Sequence, residues 1–132
     1  MLFRSGSTTG RPRRCGWIDG VALKFACMIN GVTKIVMTKA DVLDTFEELK
    51  VCTAYSINGQ TTEEIPFQMD RMKIDPVLQA FKGWNTDITA AKKFGELPEK
   101  MKEYIQFVNK YLGVKITYIS NGPGRDQLIE NV

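Results

Sequence analysis

Residues 98–119, PEKMKEYIQFVNKYLGVKITYI, change their hydrophobic period partway along. Met101, Tyr104, Ile105, Val108 and Leu112 recur at steps of three and four, which gathers them on one face of a helix. Pro98 suits a first helical position, and Gly113 supplies a left-handed stop. Val114–Ile119 then reads as a strand running into Ser120-Asn121-Gly122-Pro123-Gly124, a tight turn through which no helix continues. A helix feeding directly into a strand predicts an α/β fold.

The same alternation recurs upstream. Ile18, Val21, Ala22, Phe25, Ala26 and Ile29 predict a helix over 17–30, stopped by Asn30-Gly31. Residues 33–38 read as a short buried strand. Two extended runs within 48–66 flank Asn58-Gly59, whose residue types accept the positive φ angles of a type I′ turn, so a β-hairpin is expected. Residues 67–97 mix strand residues near Val77–Phe81 with loop signals at Pro76, Gly83 and Asn85. The expected architecture is one unit, residues 1–132, with helices packed on a mainly parallel sheet and an antiparallel hairpin inserted.

Composition removes several chemistries. The 132 residues are 43% hydrophobic and 25% charged, as in a globular domain, and no apolar run approaches membrane-spanning length. The opening Met1–Ser7 lacks the apolar core of a signal peptide, so a cytoplasmic location is expected. The chain has no histidine, which excludes Ser-His-Asp and Cys-His nucleophiles and imidazole zinc sites within it. Cys15, Cys27 and Cys52 are too scattered for a disulfide framework or a Cys₄ site and read as buried reduced thiols. Residues 1–40 carry seven basic side chains against the single acid Asp19, while the remainder is mildly acidic. A basic head suits an anionic partner or is a solvated loop.

Three loops hold residue types suited to ligand chemistry. In Ser7-Thr8-Thr9-Gly10-Arg11-Pro12-Arg13-Arg14, hydroxyls, backbone N–H groups and guanidinium forks stand together without an acid, which suits a small carboxylate or phosphate. A plain N-terminal arm and a nucleic-acid contact are the other readings. The latter lacks the interleaved aromatics of a base-stacking platform and predicts a steep salt dependence. Thr38-Lys39-Ala40-Asp41 ends the Ile35–Met37 strand, at the strand terminus where α/β proteins bind ligands. There a carboxylate at Asp41 can accept from guanine N1–H and N2–H₂ together, while the Lys39 stem covers the purine face. The other reading makes Asp41 a helix cap. In Ser120-Asn121-Gly122-Pro123-Gly124-Arg125, Gly122 allows close approach, and its N–H can donate to a ligand oxygen; otherwise the segment is a turn.

Together, the loops resemble the adenylosuccinate synthetase family. The residues that carry the resemblance are Ser7–Asp19 with its Thr-Thr-Gly-Arg and Gly-Trp elements, Thr38–Asp44, Val51–Tyr55, Gly83-Trp84 and Ser120–Arg125. Their order and intervals fit from Gly6 onward, over roughly the C-terminal third of the family's chain. Residues 1–6 stand outside the resemblance and read as a tag or a non-native start.

The resemblance implies a homodimeric cytoplasmic ligase that joins IMP and L-aspartate at the expense of GTP, with Mg²⁺, in AMP synthesis. It implies the C-terminal part of a P-loop-NTPase-like sheet. It also implies an aspartate loop of Ser7, Thr8, Thr9, Gly10, Arg11, Pro12 and Arg13, with Arg11 reaching IMP and Arg13 the GTP side. Lys39, Ala40 and Asp41 would form a guanine clamp closed by Ser120, Asn121 and the Gly122 N–H. The family's phosphate loop, catalytic Asp and His, and Mg²⁺ ligands have no counterpart in these residues. The expectation is therefore that the chain alone does not ligate, or serves as a non-catalytic guanine-nucleotide-binding module. Neither a nucleic acid nor a membrane is an expected partner.

Overall fold

The computed structural model describes residues 2–5 and 10–131, with backbone alone for residues 2–5 and 13. Strand β1 (Leu2–Ser5) pairs antiparallel with β2 (Pro12–Cys15) in a two-stranded ribbon. Strand β3 (Ile18–Asp19) leads at once into α1 (Gly20–Ile29). The helix therefore starts three residues later than its hydrophobic spacing predicts. Asp19 is the reason: it holds an extended backbone (φ −88°, ψ 96°), and its carboxylate accepts from the Ala22 N–H at 3.0 Å.

The buried line of α1 also differs from the expected stripe. Gly20, Val21 and Cys27 are buried, whereas Phe25 and Ile29 are exposed. Gly20 fixes this rotation, because a Cβ there would press on the Cys52 carbonyl at 2.6 Å and on the Tyr111 ring at 2.8 Å. With no side chain at Gly20, α1 lies flat on the next long strand, and Lys24 stands 5.0 Å over the Tyr111 ring.

Strand β4 (Ile35–Met37) falls within the expected 33–38 segment but is less buried than predicted, with Val36 largely exposed. Strands β5 (Glu48–Ile57) and β6 (Gln60–Thr62) form the predicted hairpin, with Asn58 (φ 51°) and Gly59 (φ 82°) both left-handed as a type I′ turn demands. The ambiguous middle region contains β7 (Ile74–Lys82), antiparallel to β5 along its whole length. Pro76 lies inside this strand and pairs with Tyr55. It is tolerated because β7 pairs only with β5 among the described residues, so its outer edge needs no N–H there.

Helix α2 (Glu99–Leu112) matches its pattern closely: all five stripe residues are buried, and Gly113 takes φ 69° at the stop. Pro98 is the residue before the first turn rather than its first member. Strand β8 (Ile116–Ser120) follows, and β9 (Leu128–Glu130), which the sequence did not announce, pairs with it antiparallel. The α2 stripe packs with Leu49 and Val51 of β5, with Ile116 and Ile119 of β8, and with Ile129 of β9, forming one core between the sheets.

The expectation of a mainly parallel sheet is corrected. The fold is mixed α/β, with a four-stranded sheet (β3, β5, β6, β7) and a three-stranded sheet (β4, β8, β9), both mixed, besides the β1–β2 ribbon. Only β3–β5 and β4–β8 are parallel. Short turns join β5 to β6 and β8 to β9, and such turns permit only antiparallel neighbours. The α1 crossover connects strands of different sheets, so it completes no βαβ unit. Of the cysteines, Cys27 and Cys52 are buried as expected, while Cys15 is half-exposed.

One pH effect follows from the core. Tyr104 is almost wholly buried against Phe81 and Trp84, and burial pushes its phenol up to about 12. Below pH 10 the group is neutral in both folded and unfolded chains and its full contribution is present. Between pH 10 and 12 the unfolded chain ionises first, which removes about 2–3 kcal/mol of stability. Tyr104→Phe is expected to lose less stability than the parent between pH 9 and 11, measured by urea midpoints. Tyr55 and Tyr111 are also raised by burial, so the variant reduces the alkaline loss without abolishing it.

Candidate functional site

Register builds the site. Met37 of β4 lies opposite Ile119 of β8 in a parallel pair, so both strands end at the same edge of the sheet. Thr38–Asp41 and Ser120–Gly122 therefore leave the sheet side by side, at the carboxyl ends of neighbouring strands. Lys39 makes the turn possible by taking a left-handed conformation (φ 57°, ψ 42°), and its carbonyl accepts from the Val42 N–H at 3.2 Å. Ala40 is fully buried and pins the following 3-10 turn, Ala40–Leu43, into the core.

Asp41 sits inside that turn rather than ahead of it. Its carboxylate caps nothing and has no hydrogen-bond or ion-pair partner among the described residues, which removes the helix-cap reading. It lines a hollow of about 360 Å³ together with Asp44, Thr45, Asn85, Thr86, Asp87 and Thr89. Lys39 instead lines a more apolar hollow of about 640 Å³ whose walls include Cys15, Trp17, Met37 and Phe46. Thr45 contributes to both hollows. Trp17 and Phe46 meet edge to face at 5.5 Å, which joins the end of the β2 segment to the far side of this turn.

The second loop is fixed by its own bonds. The Ser120 hydroxyl donates to the Gly122 carbonyl at 3.0 Å, and the Asn121 N–H donates to the Gln127 carbonyl at 3.1 Å. The Gln127 side chain lies over Gly122, where a Cβ would meet its amide end and push that flexible group aside. The Gly122 N–H has no partner among the described residues. The Asn121 side chain is fully buried and donates to the carbonyls of Ile88 (2.6 Å) and Ala91 (3.0 Å), so only its backbone faces the turn.

The basic loop is described only in part. Ser7, Thr8 and Thr9 lie outside the described residues. Gly10 (φ 62°) and Arg11 are exposed just ahead of β2, Pro12 is exposed as its first residue, and Arg13 is placed by its backbone within it. The structure thus places the Lys39–Asp41 and Ser120–Gly122 loops at one sheet edge, while among the described residues neither hollow is lined by Arg11 or by Ser120, Asn121 or Gly122.

Sequence reading missed the part of the Asp41 hollow formed by Asn85, Thr86, Asp87 and Thr89. Asp87 accepts from the Thr89 hydroxyl (2.6 Å) and N–H (2.8 Å), and these bonds hold its carboxyl below the usual range. Asp44 accepts from the Trp84 indole N–H at 2.7 Å and from the Ile88 N–H at 3.0 Å. Both Asp44 oxygens are thereby engaged in hydrogen bonds. No group of three or more His, Cys, Asp or Glu side chains is arranged to hold a metal ion among the described residues. No helix among them is long and apolar enough to cross a membrane.

Comparison with known proteins places this geometry. Residues 4–129 match the adenylosuccinate synthetase family model. The adenylosuccinate synthetase of Flavobacterium psychrophilum is 50% identical over 124 residues, which cover 94% of this chain and 29% of that protein. That of Geotalea daltonii is 49% identical over 125 residues, again covering 94% and 29%. The fully ligated adenylosuccinate synthetase of Plasmodium falciparum superposes with a TM-score of 0.89 at 37% identity, covering 97% of this chain and 31% of that one. The chain thus spans about 29% of the length of the curated relatives it matches. By sequence and by fold, it belongs to the adenylosuccinate synthetase family.

Proposed function

We propose that the chain supplies the guanine-recognition and aspartate-recognition part of an adenylosuccinate synthetase. That cytoplasmic, homodimeric ligase uses GTP to join IMP and L-aspartate into adenylosuccinate, releasing GDP and phosphate. The observation that carries the reading is the pairing of two loops at one sheet edge. There the Asp41 carboxylate is an acceptor, and the Gly122 N–H a donor, without protein partners among the described residues. An acceptor for N1–H and N2–H₂ together with a donor for O6 matches guanine and mismatches adenine, which offers an acceptor at N1 and a donor at N6.

On the same reading, Lys39 covers the purine face with its methylene stem, and Ser120 stiffens the turn that presents Gly122. Ala40 and Asn121 act through their backbone. Thr9 and Arg11 hold the aspartate carboxylates, with Ser7, Thr8, Gly10 and Pro12 shaping that loop; Arg11 also reaches IMP, and Arg13 the GTP side. Residues 1–132 act as one unit. Mg²⁺, which serves phosphoryl transfer in such ligases, finds no ligand set of three or more His, Cys, Asp or Glu side chains in the described residues.

Titration of the purified chain with GTP and ATP tests this. GTP is expected to bind about 10-fold or more tightly, and no adenylosuccinate is expected from GTP, IMP and aspartate with this chain alone. Equal affinities for the two nucleotides overturn the nucleobase reading. Adenylosuccinate made by the isolated chain overturns the assignment of phosphoryl transfer to groups outside these residues.

A further inference from the structure

One buried residue links the two loops through its backbone. Ile88, 2% exposed, donates its N–H to Asp44 Oδ2 at 3.0 Å and accepts at its carbonyl from Asn121 Nδ2 at 2.6 Å. Asp44 belongs to the Asp41 turn, and its own N–H donates to the Asp41 carbonyl at 3.2 Å. Asn121 stands between Ser120 and Gly122. Each grip is doubled: Asp44 Oδ1 accepts from the Trp84 indole, and Asn121 Nδ2 also donates to the Ala91 carbonyl. The Asn121 Oδ1 is buried without a partner, so its two donated bonds are what hold this amide. Asn85, Thr86, Asp87 and Thr89 of the linking segment also wall the hollow that contains Asp41.

Resting on the reading above, we propose that Trp84–Ala91 is a rigid spacer between the two halves of the nucleobase clamp. Asp44 and Asn121 are positioning residues that set the distance from the Asp41 carboxylate to the Gly122 N–H without touching the base. A purine edge has fixed dimensions, so a clamp whose halves drift apart loses discrimination before it loses nonspecific affinity. Buried hydrogen bonds in low dielectric suit this task, since breaking one leaves its partner unsatisfied.

The test uses Asp44→Asn and Asn121→Leu in the 132-residue chain, with amide hydrogen exchange measured without nucleotide and GTP/ATP titrations alongside. Asp44→Asn is expected to speed exchange of the Asn121 N–H about 10-fold while α2 amides keep parental protection. Asn121→Leu is expected to do the same at the Ile88 N–H, and both variants to lower the GTP-over-ATP preference about 10-fold with ATP affinity retained. If Asn121→Leu fails to fold, Asp44→Asn alone decides. Parental exchange at Asn121 in a folded Asp44→Asn chain, or an unchanged nucleotide ratio in the folded variants, overturns the spacer. Coupled exchange in a chain that shows no GTP preference upholds the spacer and overturns the clamp reading instead.

Discussion

Gly83→Ala is expected to destabilise the chain by at least about 3 kcal/mol, a large share of the net stability of a domain this size. A Cβ at position 83 would be driven into the backbone carbonyl of Phe46, and backbone yields far less readily than a flexible side chain. Gly83 follows β7, and its N–H donates to the Glu47 carbonyl at 2.8 Å, at the corner that opens β5. The next residue, Trp84, sends its indole N–H to Asp44. Forcing the corner open therefore breaks two bonds and unseats Trp84 from Tyr104 in the core. Gly95→Ala is the control, because nothing lies within 4 Å of its Cβ position, and a change of about 0.5 kcal/mol or less is expected. Urea midpoints of the two variants decide the matter, and similar values for both would show that the corner adjusts at little cost.

That corner also shows what sequence alone reveals and what it hides. Helix α2 was legible because its stripe, its stop at Gly113 and the proline before it are all local signals. The β5–β6 hairpin was legible because Asn58-Gly59 states its own turn geometry. Strand β7 was obscured by Pro76, whose tolerance depends on β7 lying at an edge, and edge position is a property of the sheet rather than of the segment. The direction of the strands was hidden for the same reason, since β3–β5 and β4–β8 pair across long stretches of chain. At the site, residue types at strand ends marked the Lys39–Asp41 and Ser120–Gly122 loops. Their adjacency needed the Met37–Ile119 register, and the wall of Asn85, Thr86, Asp87 and Thr89 needed partners about forty positions away, as the Asp44–Trp84 bond illustrates.

Asp41→Asn is expected to weaken GTP binding about 10- to 100-fold while leaving ATP binding little changed, measured by calorimetric titration. The substitution exchanges one acceptor oxygen for an N–H₂ donor at nearly constant shape. Guanine presents donors at both N1 and N2, so the variant loses one bond and sets two donors against each other. The Asp41 carboxylate has no partner in the described fold, so stability should move by only about 0.5 kcal/mol or less, and a binding loss of this size cannot come from unfolding. A chemical complement sharpens the test. Xanthosine triphosphate carries an oxygen at C2 where guanine carries an amino group, so the new amide N–H meets an acceptor while the amide oxygen still faces N1–H. The variant should therefore prefer the xanthine nucleotide over GTP, reversing the order of the parent. Parallel losses for GTP and ATP would place Asp41 in the general shape of the turn, whereas loss for guanine with recovery for xanthine assigns its carboxylate to the base.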